Sequence, residues 1–222
     1  IMNGYNILGA SEKDLGQLDD FSSNFDSINA DSVSYPSMIF DGPFSDSLLN
    51  KEIKGLVEIE VDKQTAQNNL DSILRETYTY DEIVFVGETN GDFETYDFEI
   101  KVSDGTTINA SVAKRGGFLI NLSGFIDESE DANVSMEDCI ANATNFCSIA
   151  GASNMGSVWT DSQKGIAFIN LAPIIDNIIY YPDLIKVKVD MKTGKIVGYD
   201  AQSYAYNHTN RIIQPPTVSP AN

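Results

Sequence analysis

The sequence predicts an α+β fold of tandem units, each one helix packed on an antiparallel β-meander. Three observations predict it. Two stretches with apolar residues at helical spacing start 73 residues apart, at Asp62 and Ser135. Each is followed by runs in which apolar and polar residues alternate. Glycine turns close both runs at matching places, Arg115-Gly116-Gly117 and Lys192-Thr193-Gly194.

Residues 1–50 form an N-terminal helical or irregular segment. Leu15, Leu18, Phe21, Phe25 and Ile28 recur at near-helical intervals in a Ser/Asp/Asn-rich stretch. Tyr35-Pro36-Ser37-Met38-Ile39-Phe40-Asp41-Gly42-Pro43-Phe44-Ser45-Asp46 follows, with aromatics, prolines and acids and no regular period. The first unit occupies 51–127. Asp62 is its helix N-cap, and Ala66, Leu70, Ile73 and Leu74 make the buried stripe. Strands are expected at 83–86, 96–102, 108–112 and 118–122, with Asp104-Gly105 turning the second into the third. The acidic stretch Asp127–Asp131 is a solvated linker or a cation site.

The second unit occupies 128–210. Ser135 and Asp138 resemble a capping box, and Met136, Cys139, Ile140, Ala143, Phe146 and Cys147 share the buried side. Strands are expected at 156–160, 165–171, 185–189 and 195–199, with Tyr180-Tyr181-Pro182-Asp183 interrupting an apolar run at an edge or bulge. Residues 211–222 are a linker into a truncated third unit, because Val218-Ser219-Pro220 repeats the earlier helix starts. The chain therefore reads as a fragment or mature segment.

Fourteen Lys plus Arg against 33 Asp plus Glu give a net charge of −19. Duplex nucleic-acid binding needs clustered cations and is excluded on this balance, as is electrostatic docking to anionic lipid. No run of about 18 apolar residues is present to span a bilayer. A basic partner suits the charge.

The residues point away from catalysis. His208 is the only histidine, so any Ser-His-Asp or Cys-His site must use it, and no G-x-S-x-G accompanies it. Metal and nucleotide signatures are absent, so no catalytic, cofactor-binding or metal-ligating residues are assigned. Cys139 and Cys147 lie eight apart on one helix, their Cα atoms about 12 Å apart, beyond disulfide reach. They are expected reduced and buried. The two aromatic-proline segments stand outside the repeat pattern. Each is either a loop anchored on the domain, by Phe40 and Phe44 in the first, or an exposed recognition patch, anchoring being the cheaper arrangement for aromatic side chains. The candidate partner-binding residues are Tyr35, Phe40, Asp41 and Phe44 in the first and Tyr180, Tyr181 and Asp183 in the second.

Tyr35–Asp46 resembles the signature that opens the C-terminal region of YpeB-type spore germination proteins. Tyr181-Pro-Asp-Leu-Ile-Lys-Val-Lys-Val189, Gly194–Ala201 and Asn207-His208 are similar to that family's later region, and the repeats resemble PepSY domains. The resemblance covers roughly residues 33–210, with two repeats where the family has three. It implies a protein of the spore, held by an N-terminal anchor at the outer face of the inner membrane beside the cortex. It further implies a non-enzymatic role: stabilising, localising or restraining the cortex-lytic enzyme SleB, with peptidoglycan as a further partner. A carboxylate-pair hydrolase acting on peptidoglycan and a passive structural component of the spore envelope are the alternatives.

Overall fold

Two helix starts organise the chain, and both are capped from their own side chains. The computed structural model describes residues 52–124, 126 and 132–211. Helix α1 (Lys63–Arg75) follows Asp62, whose carboxylate accepts from the Thr65 amide at 2.7 Å. Helix α2 (Met136–Ile149) follows Ser135, whose hydroxyl oxygen accepts from the Asp138 amide at 3.1 Å and donates to the Asp138 carboxylate at 2.8 Å. Each cap satisfies an amide that the first helical turn leaves unpaired.

The strands after α1 are β1 (Tyr80–Asn90), β2 (Glu94–Val102), β3 (Thr107–Ala113) and β4 (Leu119–Ser123). After α2 come β5 (Met155–Gln163), β6 (Ile166–Ile175), the two-residue β7 (Ile178–Ile179), β8 (Ile185–Asp190) and β9 (Ile196–Asp200). A short helix α3 (Gln202–Asn207) ends the described order. The main strands run longer than their apolar cores suggest. β1 begins at Tyr80 rather than 83 because Glu82 pairs with Lys101 across the ladder.

The meanders are the two halves of one antiparallel sheet, in the order β1-β2-β3-β4-β9-β8-β6-β5, with β7 folded back on β6. The halves meet where β4 pairs with β9, through Asn121↔Asp200, Leu122↔Tyr199 and Ser123↔Gly198. Each helix is tied to its own meander in the same way. The Val61 amide donates to the Lys114 carbonyl and the Val134 amide to the Met191 carbonyl, both at 2.8 Å. The Asn69 side chain donates to the Gly117 carbonyl at 3.3 Å, and Asn142 to Gly194 at 3.1 Å. Both glycines have positive φ, +64° and +76°, which a residue without Cβ adopts freely. The repetition therefore extends to individual hydrogen bonds.

Register sorts the side chains into rows. Phe98, Ala110, Leu122, Tyr199, Val187 and Ile169 are successive cross-strand partners and form one buried row. Both helices pack on this face, and α1, α2 and the inward residues of both meanders form one core. The neighbouring row points the other way. It runs from Trp159 through Asn170, Lys186, Asp200, Asn121 and Ser111, and ends at Asp97. The helices cover one face and the row on the other is mostly polar, while a second, smaller apolar cluster gathers Leu56, Phe93, Ala113, Ile120, Ala205 and Tyr206.

The shared core explains the cysteines and one costly hydroxyl. Cys139 and Cys147 are reduced and fully buried, and burial pushes the Cys147 thiol up to about 12. Phe146 meets Tyr199 edge to face at 5.3 Å. The Tyr199 hydroxyl is buried with no hydrogen-bond partner among the described residues. An unsatisfied buried hydroxyl is unfavourable by roughly 1–3 kcal/mol, so Tyr199→Phe should raise stability by about 1 kcal/mol or more in denaturant melts. A loss of stability would show that the hydroxyl is paired. Neither thiol should react with an aromatic disulfide reagent at pH 8 until the chain unfolds, and each Cys→Ala change should cost about 1–2 kcal/mol.

Candidate partner-binding site

The second candidate segment begins with a tight reversal. β6 ends at Ile175, Asp176 and Asn177 take φ of 51° and 62°, and β7 returns with Ile178 opposite Ile175 and Ile179 opposite Ile174. Asp and Asn tolerate this left-handed backbone, which suits a two-residue hairpin. Tyr180 leaves the hairpin, and Tyr181–Asp183 form one 3-10 turn closed by the Asp183 amide donating to the Tyr180 carbonyl at 3.0 Å. Pro182 sits inside that turn, where its missing N–H costs nothing.

The turn aims Asp183 inward. Its side chain is 0% exposed. Arg211 grips it with two parallel bonds, Nη1 to Oδ2 at 2.6 Å and Nη2 to Oδ1 at 2.8 Å, and the His208 Nδ1 lies 3.0 Å from Oδ2. The same guanidinium donates to the Asn207 carbonyl at 2.6 Å and lies 4.9 Å from the Tyr180 ring centroid. The carboxylate raises the Arg211 pKa, chiefly through those hydrogen bonds. The Asn207 amide donates to the Pro182 carbonyl at 2.8 Å. The turn and the residues after α3 therefore hold each other through a buried, bidentate ion pair.

Aromatic stacking carries the clasp back to the sheet. His208 stacks on Tyr204 at 4.2 Å, and Tyr204 stacks on Phe118 at 5.8 Å. α3 is anchored on its other side by Gly55, whose amide donates to the Ala205 carbonyl at 2.8 Å. A Cβ on Gly55 would lie 2.4 Å from the Tyr204 carbonyl oxygen, so only glycine fits there.

The three residues singled out in this segment have different fates. Tyr180 is buried, and its hydroxyl has no partner among the described residues. Asp183 is the buried half of the clasp. Tyr181 is 56% exposed, and Ile174, Ile178 and Ile179 beside it are also exposed. Tyr35, Phe40, Asp41 and Phe44 lie outside the described residues. Asp183 and His208 form an acid–imidazole pair, but Arg211 occupies both carboxylate oxygens. Among the described residues no Ser, Thr or Cys side chain hydrogen-bonds to the ring. No group of three or more potential metal ligands occurs among the described residues. Arg211 and Trp159 escape sequence reasoning: the first acts 28 residues from its partner, and the second sits in a strand whose outward face only register reveals.

Comparison with known proteins agrees with this architecture. The family described as YpeB sporulation, PepSY1 and PepSY2 domains matches residues 21–214. The sporulation protein YpeB of Halalkalibacterium halodurans is 31% identical over 97 residues, 43% of this chain and 22% of the relative. The sporulation protein YpeB of Oceanobacillus iheyensis is 23% identical over 219 residues, 99% of this chain and 44% of the relative. That of Bacillus subtilis is 26% identical over 137 residues, 60% of this chain and 30% of the relative. The matches span less than half the length of each of these relatives. The Bacillus megaterium YpeB C-terminal domain superposes with a TM-score of 0.61 at 20% identity, over 72% of each chain. The likeness is one of fold. No catalytic family is indicated by these matches, and no helix among the described residues is long and apolar enough to cross a membrane.

Removing one half of a buried ion pair strands the other charge. Asp183→Ala should therefore lower stability by about 3–5 kcal/mol in chemical denaturation. The double change Asp183→Leu with Arg211→Met should recover much of that loss. Equal losses in the single and double variants would show that the charges do not act as a pair.

Proposed function

We propose, from the premise that this chain belongs to the YpeB sporulation family, that it is a non-catalytic regulatory module of spore germination. It works by contact, stabilising, localising or restraining a cortex-lytic enzyme of the SleB kind at the spore's inner membrane and cortex. The units at 51–127 and 128–210 act as one body in this role. One observation carries the reading: Tyr181 stands in solvent beside Ile178 and Ile179, on a turn locked from beneath by the Asp183–Arg211 pair. Binding energy concentrates in aromatic anchors presented on rigid supports, and an exposed apolar group of this kind fits a partner surface. The charge of −19 adds attraction toward a basic enzyme, which raises the rate of encounter more than the final affinity.

The test is binding of the full-length protein to the purified lytic enzyme of the same organism. Tyr181→Ala should weaken binding by about 2 kcal/mol, near thirtyfold, with an unchanged melting temperature. Binding should also weaken as ionic strength rises. No association of the two proteins, or release of muropeptides from cortex by this chain alone, would overturn the reading.

A further inference from the structure

We propose that Asn90 is a self-modifying site, where the main chain converts the asparagine to isoaspartate and thereby loosens α3. Asn90 ends β1 and Gly91 opens the turn into β2, and both are exposed. The chemistry needs only these two residues and water. The Gly91 amide nitrogen attacks the Asn90 side-chain carbonyl carbon and forms a new C–N bond. Its proton passes through water to the side-chain nitrogen, which leaves as ammonia. Water then opens the cyclic imide at either of its C–N bonds. One opening gives aspartate, and the other gives isoaspartate, with the main chain routed through the former side chain. No oxidant or reductant takes part. Attack by the adjoining residue has the high effective concentration of any short ring closure.

The turn favours this reaction over the same reaction at other asparagines. Among the described residues Asn90 alone is followed by glycine. No hydrogen bond holds its side chain among those residues, whereas Asn69, Asn142 and Asn207 each donate to a backbone carbonyl. The Gly91 amide donates only to the Phe93 carbonyl, at 3.4 Å, beyond the usual range of a good bond. Glycine also leaves the attacking nitrogen unshielded. A Cβ on Gly91 would meet nothing nearer than 3.9 Å, so the space around it is open.

The product cannot keep the hairpin as it is. Asn90 pairs with Glu94, and past that pair the ladder is firm, the Lys114 amide donating to the Glu94 carbonyl at 2.8 Å. Isoaspartate lengthens the main chain on one side of the pair only and sets a carboxylate against Glu94. Like charges directly opposite one another destabilise a strand pair. The Lys114 ammonium cannot offset the new charge, because it is already shared between Glu88 at 2.7 Å and Glu94 at 3.6 Å. The turn must shift, and it carries Phe93. That ring is buried with its centroid 4.5 Å from that of Tyr206, whose hydroxyl donates to the Asp92 carboxylate. Asp92 and Phe93 thus seat a buried residue of α3. A helix this short has no stability of its own, so it loosens when the seat is lost.

Ageing the purified full chain in warm, mildly alkaline buffer tests both halves of the proposal. Peptide mapping by mass spectrometry, with isoaspartyl methyltransferase labelling, should show Asn90 converting about tenfold or more faster than Asn69, Asn142 or Asn207. Gly91→Ala fits the open turn and should slow the conversion by about tenfold or more. The Ala205 and His208 amides donate to the Ala201 and Tyr204 carbonyls and report on α3. Their hydrogen exchange should be about fivefold or more faster in the isoaspartate form than in the fresh chain, and unchanged in Gly91→Ala held under the same conditions. Asn90 surviving in the folded chain while a free peptide of the same turn converts would overturn the modification. Full conversion with unchanged exchange at Ala205 and His208 would overturn its effect on α3. Neither readout involves Tyr181 or a lytic enzyme, so failure here and failure of the enzyme-contact reading are told apart.

Discussion

Three residue pairs between β4 and β9 hold the architecture together. A unit of about 75 residues buries too little surface to be more than marginally stable alone. Pairing the last strand of one meander with the last strand of the other makes a single sheet and lets α1 and α2 share one core. Leu122↔Tyr199 continues the buried row across the join, and Asn121↔Asp200 continues the polar one. The Ala201 amide, donating to the Ile120 carbonyl at 2.9 Å, extends the seam to the start of α3. Tyr78 reinforces it from the other end, its hydroxyl donating to the Ile196 carbonyl.

Much of this was legible in the residues. Asp62 and Ser135 cap the helices assigned to them, and the stripe Ala66, Leu70, Ile73 and Leu74 is the buried face of α1. Period-two alternation located the principal strands, because an inward residue must be apolar when its neighbours face water. What local pattern could not supply was pairing between distant elements. Nothing around Leu122 names Tyr199 as its partner. α3 is written Gln-Ser-Tyr-Ala-Tyr-Asn, a poor helix by propensity, and it forms because Tyr204, Ala205 and Tyr206 are buried and Gly55 lets the backbone approach. Asp183 reads as a surface acid beside a proline until Arg211 is brought to it from 28 residues away. The candidate site was thus legible as a place, but its division into an exposed Tyr181 and a buried clasp was not.

The surface follows from the same sorting. With its inward rows committed to the core, the sheet leaves a polar face and two edges. The β1 edge carries Asp81, Glu82 and Glu88 and is broken by two bulges, devices that discourage pairing with stray strands. On the β5 side the hairpin and its turn project apolar side chains from a rigid base. Rigidity matters because a side chain already held in place loses less freedom on binding than one on a mobile loop.

The position of the seam also shapes how the chain is made. β4 ends at Ser123 and the strand that covers its edge begins at Ile196, so about 73 residues must be synthesised between them. At roughly 5–20 residues per second, the ribosome needs about 4–15 s to deliver β9. During that interval Leu119, Ile120 and Leu122 lie on an unpaired edge. A second nascent chain close by offers the same β9 sequence, and although the tethered β9 has the higher effective concentration, the three pairs of the seam can form between copies where chains are crowded. The join that unites the repeats is therefore also the point at which two molecules, made side by side, would exchange halves.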